Sequence, residues 1–391
     1  MMHQDKPGAI VIGGHFQGLG VVRSLAKQGI PVYILDNQLC IGRFSRHTSK
    51  CIKCPDVNEE STFFDFLTNL AKKEHLNGWV VFPTDDETVY FLSRFKKKLE
   101  GFYRITTPDW EVVKYTYNKK LTYQFAQKVG IPIPQTFYPE NIDDLRKLKI
   151  QYPLIIKPAV VKKFFNITKK KVYRADNEKE LLSFYQRMCS IIDPSEIMIQ
   201  EFLPGGPNYL FSFCPLFKNG KVLARIVAKR ARQHPMDFGH ASTYAEIVFI
   251  PELEEMGKKL LSEIDYHGLC EVEFKQDPRD GQYKLLEINA RIWGWHTLAI
   301  RAGIDLPYLL YRDMIGERVE TNSHPKEAKW IRLMTDVPTV ITEIVKKRMK
   351  IKDYVSSLKG KKEFAVFSVS DPFPFLAEFI LLPYMWKKKG F

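Results

Sequence analysis

The 391-residue chain lacks any apolar run of about 20 residues, so no segment is long enough to cross a bilayer as a helix. It also lacks the start of a secretory leader. Residues 1–7 are polar, and Ala9–Ile12 is too short to serve as an apolar h-region. Six cysteines do not make a disulfide framework. Cys51 and Cys54 form one C-x-x-C with no second pair and no spaced histidines; buried or incidental thiols are a simpler reading than a metal or redox pair. No internal repeat is visible. These absences point to a globular protein in a reducing, cytoplasmic setting.

Acid is scarce relative to base: 45 Asp and Glu against 59 Lys and Arg, a net charge of +14. Such a surplus favours anionic partners, among them nucleotides, acidic metabolites, nucleic acid and anionic lipid. It is uneven. Residues 321–391 hold 14 basic and 7 acidic side chains, and six basic residues without an acid fall within 162–174. No compact nucleic-acid motif accompanies the charge, so nucleic acid is not an expected partner.

The chain opens as a βαβ unit. Ala9–Ile12 reads as a buried strand, residues 13–20 as a glycine-rich turn, 21–28 as a helix and 31–35 as a second strand ending at Asp36. An acid at this place binds a ribose in dinucleotide sites, but the strict G-x-G-x-x-G spacing is missing, and the glycines can equally serve only to tighten the turn. Trp79–Pro83 is another strand. The acids Asp85, Asp86 and Glu87 follow at the edge where α/β sheets place ligands, or they cap the next helix. Further on, 119–129 reads as a helix stopped by Gly130. Residues 154–157 and Ile197–Glu201 read as strands. Two hairpins follow, 210–216 with 222–228 across Asn219-Gly220, and 271–275 with Tyr283–Asn289.

The second hairpin carries the chemistry. Glu273 and Glu287 lie one on each strand, and Asn289 shares a face with Glu287 because strand side chains alternate. Two carboxylates and an amide oxygen suit Mg²⁺, which keeps its other positions for water and phosphate; solvated acids neutralised by nearby bases are the alternative. Lys157 leaves a buried strand and Lys119 opens a helix, both suitable places for a phosphate contact.

In order, Asn118-Lys119, Gly130-Ile131-Pro132-Ile133-Pro134, Ile155-Ile156-Lys157-Pro158, Gln200-Glu201-Phe202-Leu203-Pro204-Gly205, Glu271-Val272-Glu273-Phe274 and Leu286-Glu287-Ile288-Asn289-Ala290-Arg291 resemble the ATP-grasp superfamily over roughly residues 1–315. Within it, Arg230-Ala231-Arg232-Gln233-His234-Pro235-Met236-Asp237-Phe238-Gly239 and Asp371-Pro372-Phe373-Pro374-Phe375-Leu376 are similar to the predicted carboxylate–amine ligases that include D-aspartate ligase. The resemblance implies an α/β protein: a Rossmann-like domain (1–112), a two-lobed ATP-grasp α+β module (113–318, lobes about 115–205 and 206–315) and a basic C-terminal extension (319–391).

It also implies roles. Lys119 and Lys157 would contact ATP phosphates, and Glu201, Phe202 and Leu203 would frame the adenine. Glu273, Glu287 and Asn289 would hold Mg²⁺, with Mn²⁺ as a substitute. Arg232 and Arg291 would steady the acyl phosphate, Arg230 being the rival to Arg232. The expected activity joins a small-molecule carboxylate to an amine or related nucleophile, with an amino acid or cell-envelope precursor as substrate; a non-catalytic ATP sensor on the same fold is the alternative. One departure is that 159–171, where many relatives have a glycine-rich loop, is lysine-rich and holds no glycine. Trp293-Gly294-Trp295-His296 either lines an acceptor pocket or belongs to the core. The apolar tail, with Lys387-Lys388-Lys389 behind it and the bases of 346–352 upstream, suits either docking onto the ligase domain or peripheral contact with an anionic membrane.

Overall fold

The computed structural model describes residues 6–147, 151–236, 239, 241–319 and 324–389; Asp237 and Phe238 of the arginine-rich stretch lie outside the described residues. Strands β1 (Ala9–Ile12), β2 (Val32–Asp36), β3 (Lys50–Lys53), β4 (Trp79–Pro83) and β5 (Tyr103–Ile105) form a parallel sheet in the order β3-β2-β1-β4-β5. Helices α1 (Phe16–Ala26), α2 (Glu60–Lys73) and α3 (Asp86–Leu99) connect them. A parallel strand covered on both faces must be apolar throughout, and β1 is. Its Ala9 and Val11 pack with Leu19 and Val22 of α1, while Ile10 and Ile12 join Phe63, Leu67 and Phe91 on the other face.

The glycine turn is shorter than its composition predicts, because α1 begins at Phe16 and takes in Gly18 and Gly20. A Cβ on Gly18 would come within 2.0 Å of the Gly13 carbonyl oxygen, and one on Gly20 within 2.6 Å of the His296 ring. These glycines let α1 close onto its neighbours. Asp36 is spent on the same turn, accepting from Gly14 N (2.7 Å) and Gln38 N (2.9 Å). Its carboxylate therefore serves the turn rather than a ribose.

Helices α4 (Trp110–Tyr117) and α5 (Lys119–Lys128) lead into the small lobe, with Asn118 capping α5 through Lys120 N and Leu121 N. The lobe contains β6 (Thr136–Phe137), α6 (Ile142–Arg146), β7 (Leu154–Pro158), α7 (Val161–Thr168), β8 (Tyr173–Ala175), α8 (Glu178–Cys189) and β9 (Ile197–Glu201). Its antiparallel sheet runs β6-β9-β7-β8 over a separate core that includes Leu154, Leu181, Tyr185 and Met188. The lysine-rich segment 159–171 is thus largely the helix α7. Val161, Phe164, Phe165 and Thr168 supply helical spacing, Phe164 is fully buried, and Lys169 ends the turn in the left-handed conformation.

The large sheet is built from β10 (Leu210–Lys218), β11 (Lys221–His234) and β12 (Ala241–Ile247). After α9 (Pro251–Glu263) come β13 (Gly268–Leu269), β14 (Glu271–Gln276) and β15 (Tyr283–Asn289). Helices α10 (Thr297–Arg301) and α11 (Leu306–Met314) lead to β16 (Lys329–Ile331), α12 (Leu333–Val345), α13 (Ile351–Ser357), β17 (Lys362–Phe364) and α14 (Phe373–Lys389). The strand order is β15-β14-β10-β11-β12-β16-β17, with β13 also on β10. The first hairpin turns at Asn219 and Gly220, both with positive φ.

The described residues from 324 onward are therefore joined to the large sheet and its core. β16 and β17 complete the large sheet, and Trp330, Val366 and Leu381 share one core with Val11 and Leu216. Among the described residues no helix is long and apolar enough to cross a membrane.

Candidate active site

The antiparallel register of β14 and β15 sets Glu273 directly opposite Glu287 and Glu271 opposite Asn289. With a side-chain period of two, all four groups share one face. Asn289 Nδ2 donates to Glu273 Oε1 (2.8 Å) and Glu271 Oε2 (3.2 Å). Ser212 Oγ on β10 donates to Glu271 at 3.0 Å. Glu271 was legible as the other half of an E-x-E pair in the sequence, but no role was read for it.

Cations converge on these acids. Lys119, at the start of α5, pairs with Glu287. Arg230 on β11 pairs with Glu273, lies 3.6 Å from Glu271, and is steadied by Nε donation to Ser242 Oγ at 2.9 Å. Burial pushes the Glu273 carboxyl up to about 8; Arg230 opposes that shift, and the charges of Glu271 and Glu287 add to it. Burial would also raise Glu287, but the Lys119 ammonium outweighs it and holds that carboxyl below the usual range.

Lys157 is held from two elements, α5 and β9. Its buried Nζ bonds to Tyr123 Oη and Gln200 Oε1, each at 2.8 Å. Tyr123 in turn donates to Leu286 O (2.6 Å), and Gln200 Nε2 donates to Thr136 Oγ1 (2.8 Å). Burial lowers the proton affinity of this lysine.

Lys119, Lys157, Arg230, Glu271, Glu273, Glu287, Asn289 and Arg291 line one cavity of about 700 Å³. Its far wall comes from the first domain, at Phe16, Gln17, Asp86 and Glu87. The acids after β4 divide their work. Asp85 caps α3 by accepting from Thr88 N (2.8 Å), Asp86 pairs with Arg291 Nε (2.7 Å), and Glu87 pairs with Lys162 of α7 (2.6 Å). The capping reading holds for Asp85, while Asp86 and Glu87 are engaged in ion pairs at the cavity.

Four expected site residues lie elsewhere. Glu201 accepts from Gln135 N (2.9 Å), Arg279 (2.6 Å) and Lys284 (3.1 Å). Phe202 stacks beneath Arg174 and Lys275, and the carbonyl of buried Leu203 accepts from Lys275 Nζ (2.8 Å). None of the three is in the cavity lining. Arg232 is buried against Asp336 (2.8 and 2.9 Å) and over the Tyr244 ring (4.0 Å). Register shifts on both sides of Arg232 break the alternation that would have put it beside Arg230.

Gly294 and Trp295 do line the cavity, whereas His296 is a core group. It is fully buried, with Nδ1 2.9 Å from Trp293 O, and burial pushes its pKa down to about 4.

A divalent cation fits this chemistry. Mg²⁺ takes hard oxygens and retains water and phosphate ligands, and Glu273, Glu287 and Asn289 offer such oxygens on one face, where Arg230 and Lys119 already supply positive charge. Among the described residues no three His, Cys, Asp or Glu side chains form a ready cage.

Residues 193–337 match the family model described as ATP-grasp in the biosynthetic pathway with Ter operon. The chain is 23% identical over 359 residues to D-aspartate ligase of Enterococcus faecium, covering 85% of this chain and 83% of that one. It is 36% identical over 311 residues to the carbamoyl phosphate synthase large chain of Pyrococcus furiosus, covering 73% of this chain but 27% of that protein. The crystal structure of L-amino acid ligase from Bacillus licheniformis superposes with a TM-score of 0.63 at 17% identity, covering 82% of this chain and 78% of that one. The family model, the relatives and the shared architecture identify the chain as a member of the ATP-grasp ligases, similar to D-aspartate ligase.

Proposed function

We propose that the chain joins a carboxylate to an amine in an ATP- and Mg²⁺-dependent reaction through an acyl phosphate. The observation that carries this reading is one cavity with a carboxylate–amide face, six cationic side chains in its lining (Lys119, Lys157, Lys162, Lys171, Arg230 and Arg291) and two acids from the first domain. Lys119 and Lys157 offset charge on the ATP phosphates. Glu273, Glu287 and Asn289 would hold Mg²⁺, which would supply further positive charge at the phosphoryl oxygens.

The substrate carboxylate attacks the γ-phosphoryl group in line, and ADP leaves. Arg230 and Arg291 stabilise the charge that develops on the transferring oxygens, so catalysis is mostly positioning and electrostatics. The amine then attacks the acyl carbon and phosphate departs. Asp86 and Glu87 line the same cavity, where they hold Arg291 and Lys162 in place beside the reacting groups. α7, tied down by Lys162 to Glu87, covers one side and keeps water from the acyl phosphate. In this reading Arg232 supports the sheet, and Arg230 takes the role first expected of it.

The relatives named for D-aspartate and L-amino acids make an amino acid the first choice for one substrate, with an envelope precursor as the other. The test is ADP and phosphate release across a panel of D- and L-amino acids paired with amines, followed by mass analysis of the product. Turnover that needs both partners and yields their condensation product supports the reading. ATP binding without turnover on any pair would leave a sensor instead.

A further inference from the structure

Helix α14 packs through its buried Ala377, Glu378 and Leu381 and lies against the short turn Ile41–Phe44. Its other positions are apolar and open. Ile380 is 77% exposed, Phe373 62% and Leu376 54%, with Phe379 and Leu382 also exposed. The surface continues off the helix. Phe375 touches Phe379 (5.0 Å between ring centroids) and Phe367 (5.3 Å), while Leu39 and exposed Phe44 flank the turn that α14 packs against. Aqueous surfaces seldom expose so many large apolar groups together unless something covers them.

Charge indicates what that is. Glu378 is the one acid in the sequence from 373 to 389, and it is buried against Arg332 at 3.3 Å. The open face of the helix therefore carries no negative charge. Arg43 and Arg46 lie exposed at the edge formed by the turn, with Arg46 bonded to Ser370 O at 3.3 Å just before α14 begins. In sequence Lys387, Lys388 and Lys389 close the other end.

From this arrangement we propose that α14, with Leu39 and Phe44 beside it, is a peripheral docking surface for an anionic lipid bilayer. The helix lies in the headgroup region rather than crossing it. Apolar side chains enter the acyl boundary, and Arg43 and Arg46 meet lipid phosphates. A second copy of the chain is a poorer occupant. Two such faces brought together about a two-fold axis would confront one cationic rim with another. This surface is independent of the ligase reading, since it uses no residue of the cavity.

The test uses the full chain and vesicles of phosphatidylcholine alone or with about one third phosphatidylglycerol. Co-sedimentation with the anionic vesicles is expected, weakening as salt rises, with little on the neutral ones. The double variant Leu376→Ser, Ile380→Ser changes only open positions, so it should fold; it is expected to bind at least about tenfold more weakly. Arg43→Glu should weaken binding while leaving the apolar face whole. Melting temperature and ATP-dependent phosphate release should match the unaltered chain in both variants. Absence of binding by the full chain, or equal binding by the double variant, overturns the proposal. So does a concentration-dependent dimer that the double variant abolishes without any lipid binding.

Discussion

Arg291, just past the end of β15, holds Asp86 of the first domain at 2.7 Å across a separation of 205 residues. Its Nη2 also reaches Asn289 Oδ1 at 3.2 Å. One guanidinium thus aligns the acidic face of the large sheet with the opposite wall of the cavity.

Removing that alignment gives the first prediction. Asp86 is more than half exposed in the pair, so Asp86→Asn should change stability by about 1 kcal/mol at most. Turnover should fall roughly tenfold or more, because Arg291 would lose its orientation. The measurements are a melting curve and phosphate release with saturating ATP. Unchanged turnover would show that Arg291 is placed by other contacts.

Glu287→Gln tests the metal face. The variant should fold, because relief of like charge among Glu271, Glu273 and Glu287 offsets the lost partner of Lys119. Phosphate release should drop by about two orders of magnitude or more at saturating Mg²⁺. Near-normal release would remove Glu287 from the metal set.

The two arginines of β11 should separate cleanly. Arg232→Ala leaves Asp336 buried without its charge partner and should cost about 3–5 kcal/mol of stability. Arg230→Gln should instead lower turnover strongly while the protein still folds and binds ATP. If Arg232→Ala kept its melting temperature and lost only activity, the roles assigned from the geometry would be reversed.

His296 provides a pH dependence. Its pKa is about 4 in the folded chain against an ordinary 6.5, so between those values the unfolded state binds more protons. Stability from this group is complete above about pH 6.5 and is lost as pH falls, by about 2 kcal/mol at pH 5. His296→Asn keeps a donor for Trp293 O and cannot titrate. Its melting temperature should therefore fall less between pH 7 and pH 5 than that of the unaltered chain. Parallel curves would mean that other groups govern the acid limb.

Much of this architecture could be read from local pattern. The strands Ala9–Ile12 and Trp79–Pro83 are short apolar runs, Asn219-Gly220 names its hairpin, and the 14-residue spacing of Glu273 and Glu287 follows from two strands and a turn. What escaped depends on long-range context. A break in alternation at Arg232 leaves no signature in its neighbours. The helix α7 is masked by the lysines that cover its outer side, although the spacing of Val161, Phe164 and Phe165 was there to find. β16 and β17 are three residues each, too short to announce themselves, and only their partners in the large sheet make them strands. The meeting of Asp86 with Arg291 could not come from either segment alone.

The separate core of the small lobe has a mechanical consequence. Leu154, Tyr185 and Met188 belong to a cluster of their own, while the first domain, the large sheet and α14 are fused through Val11, Leu216 and Leu381. Among the described residues a small cluster of Tyr123, Ala159 and Met198 lies between them, beside the polar chain from Gln200 through Lys157 to Tyr123. A pivot of the small lobe would therefore expose little apolar area and would work chiefly against polar ties: Lys157 to Tyr123, Glu201 to Arg279 and Lys284, Lys275 to the Leu203 carbonyl, and Lys162 to Glu87. An anion that drew Lys157 away from Tyr123 would therefore release one of several polar fasteners of the joint as it bound.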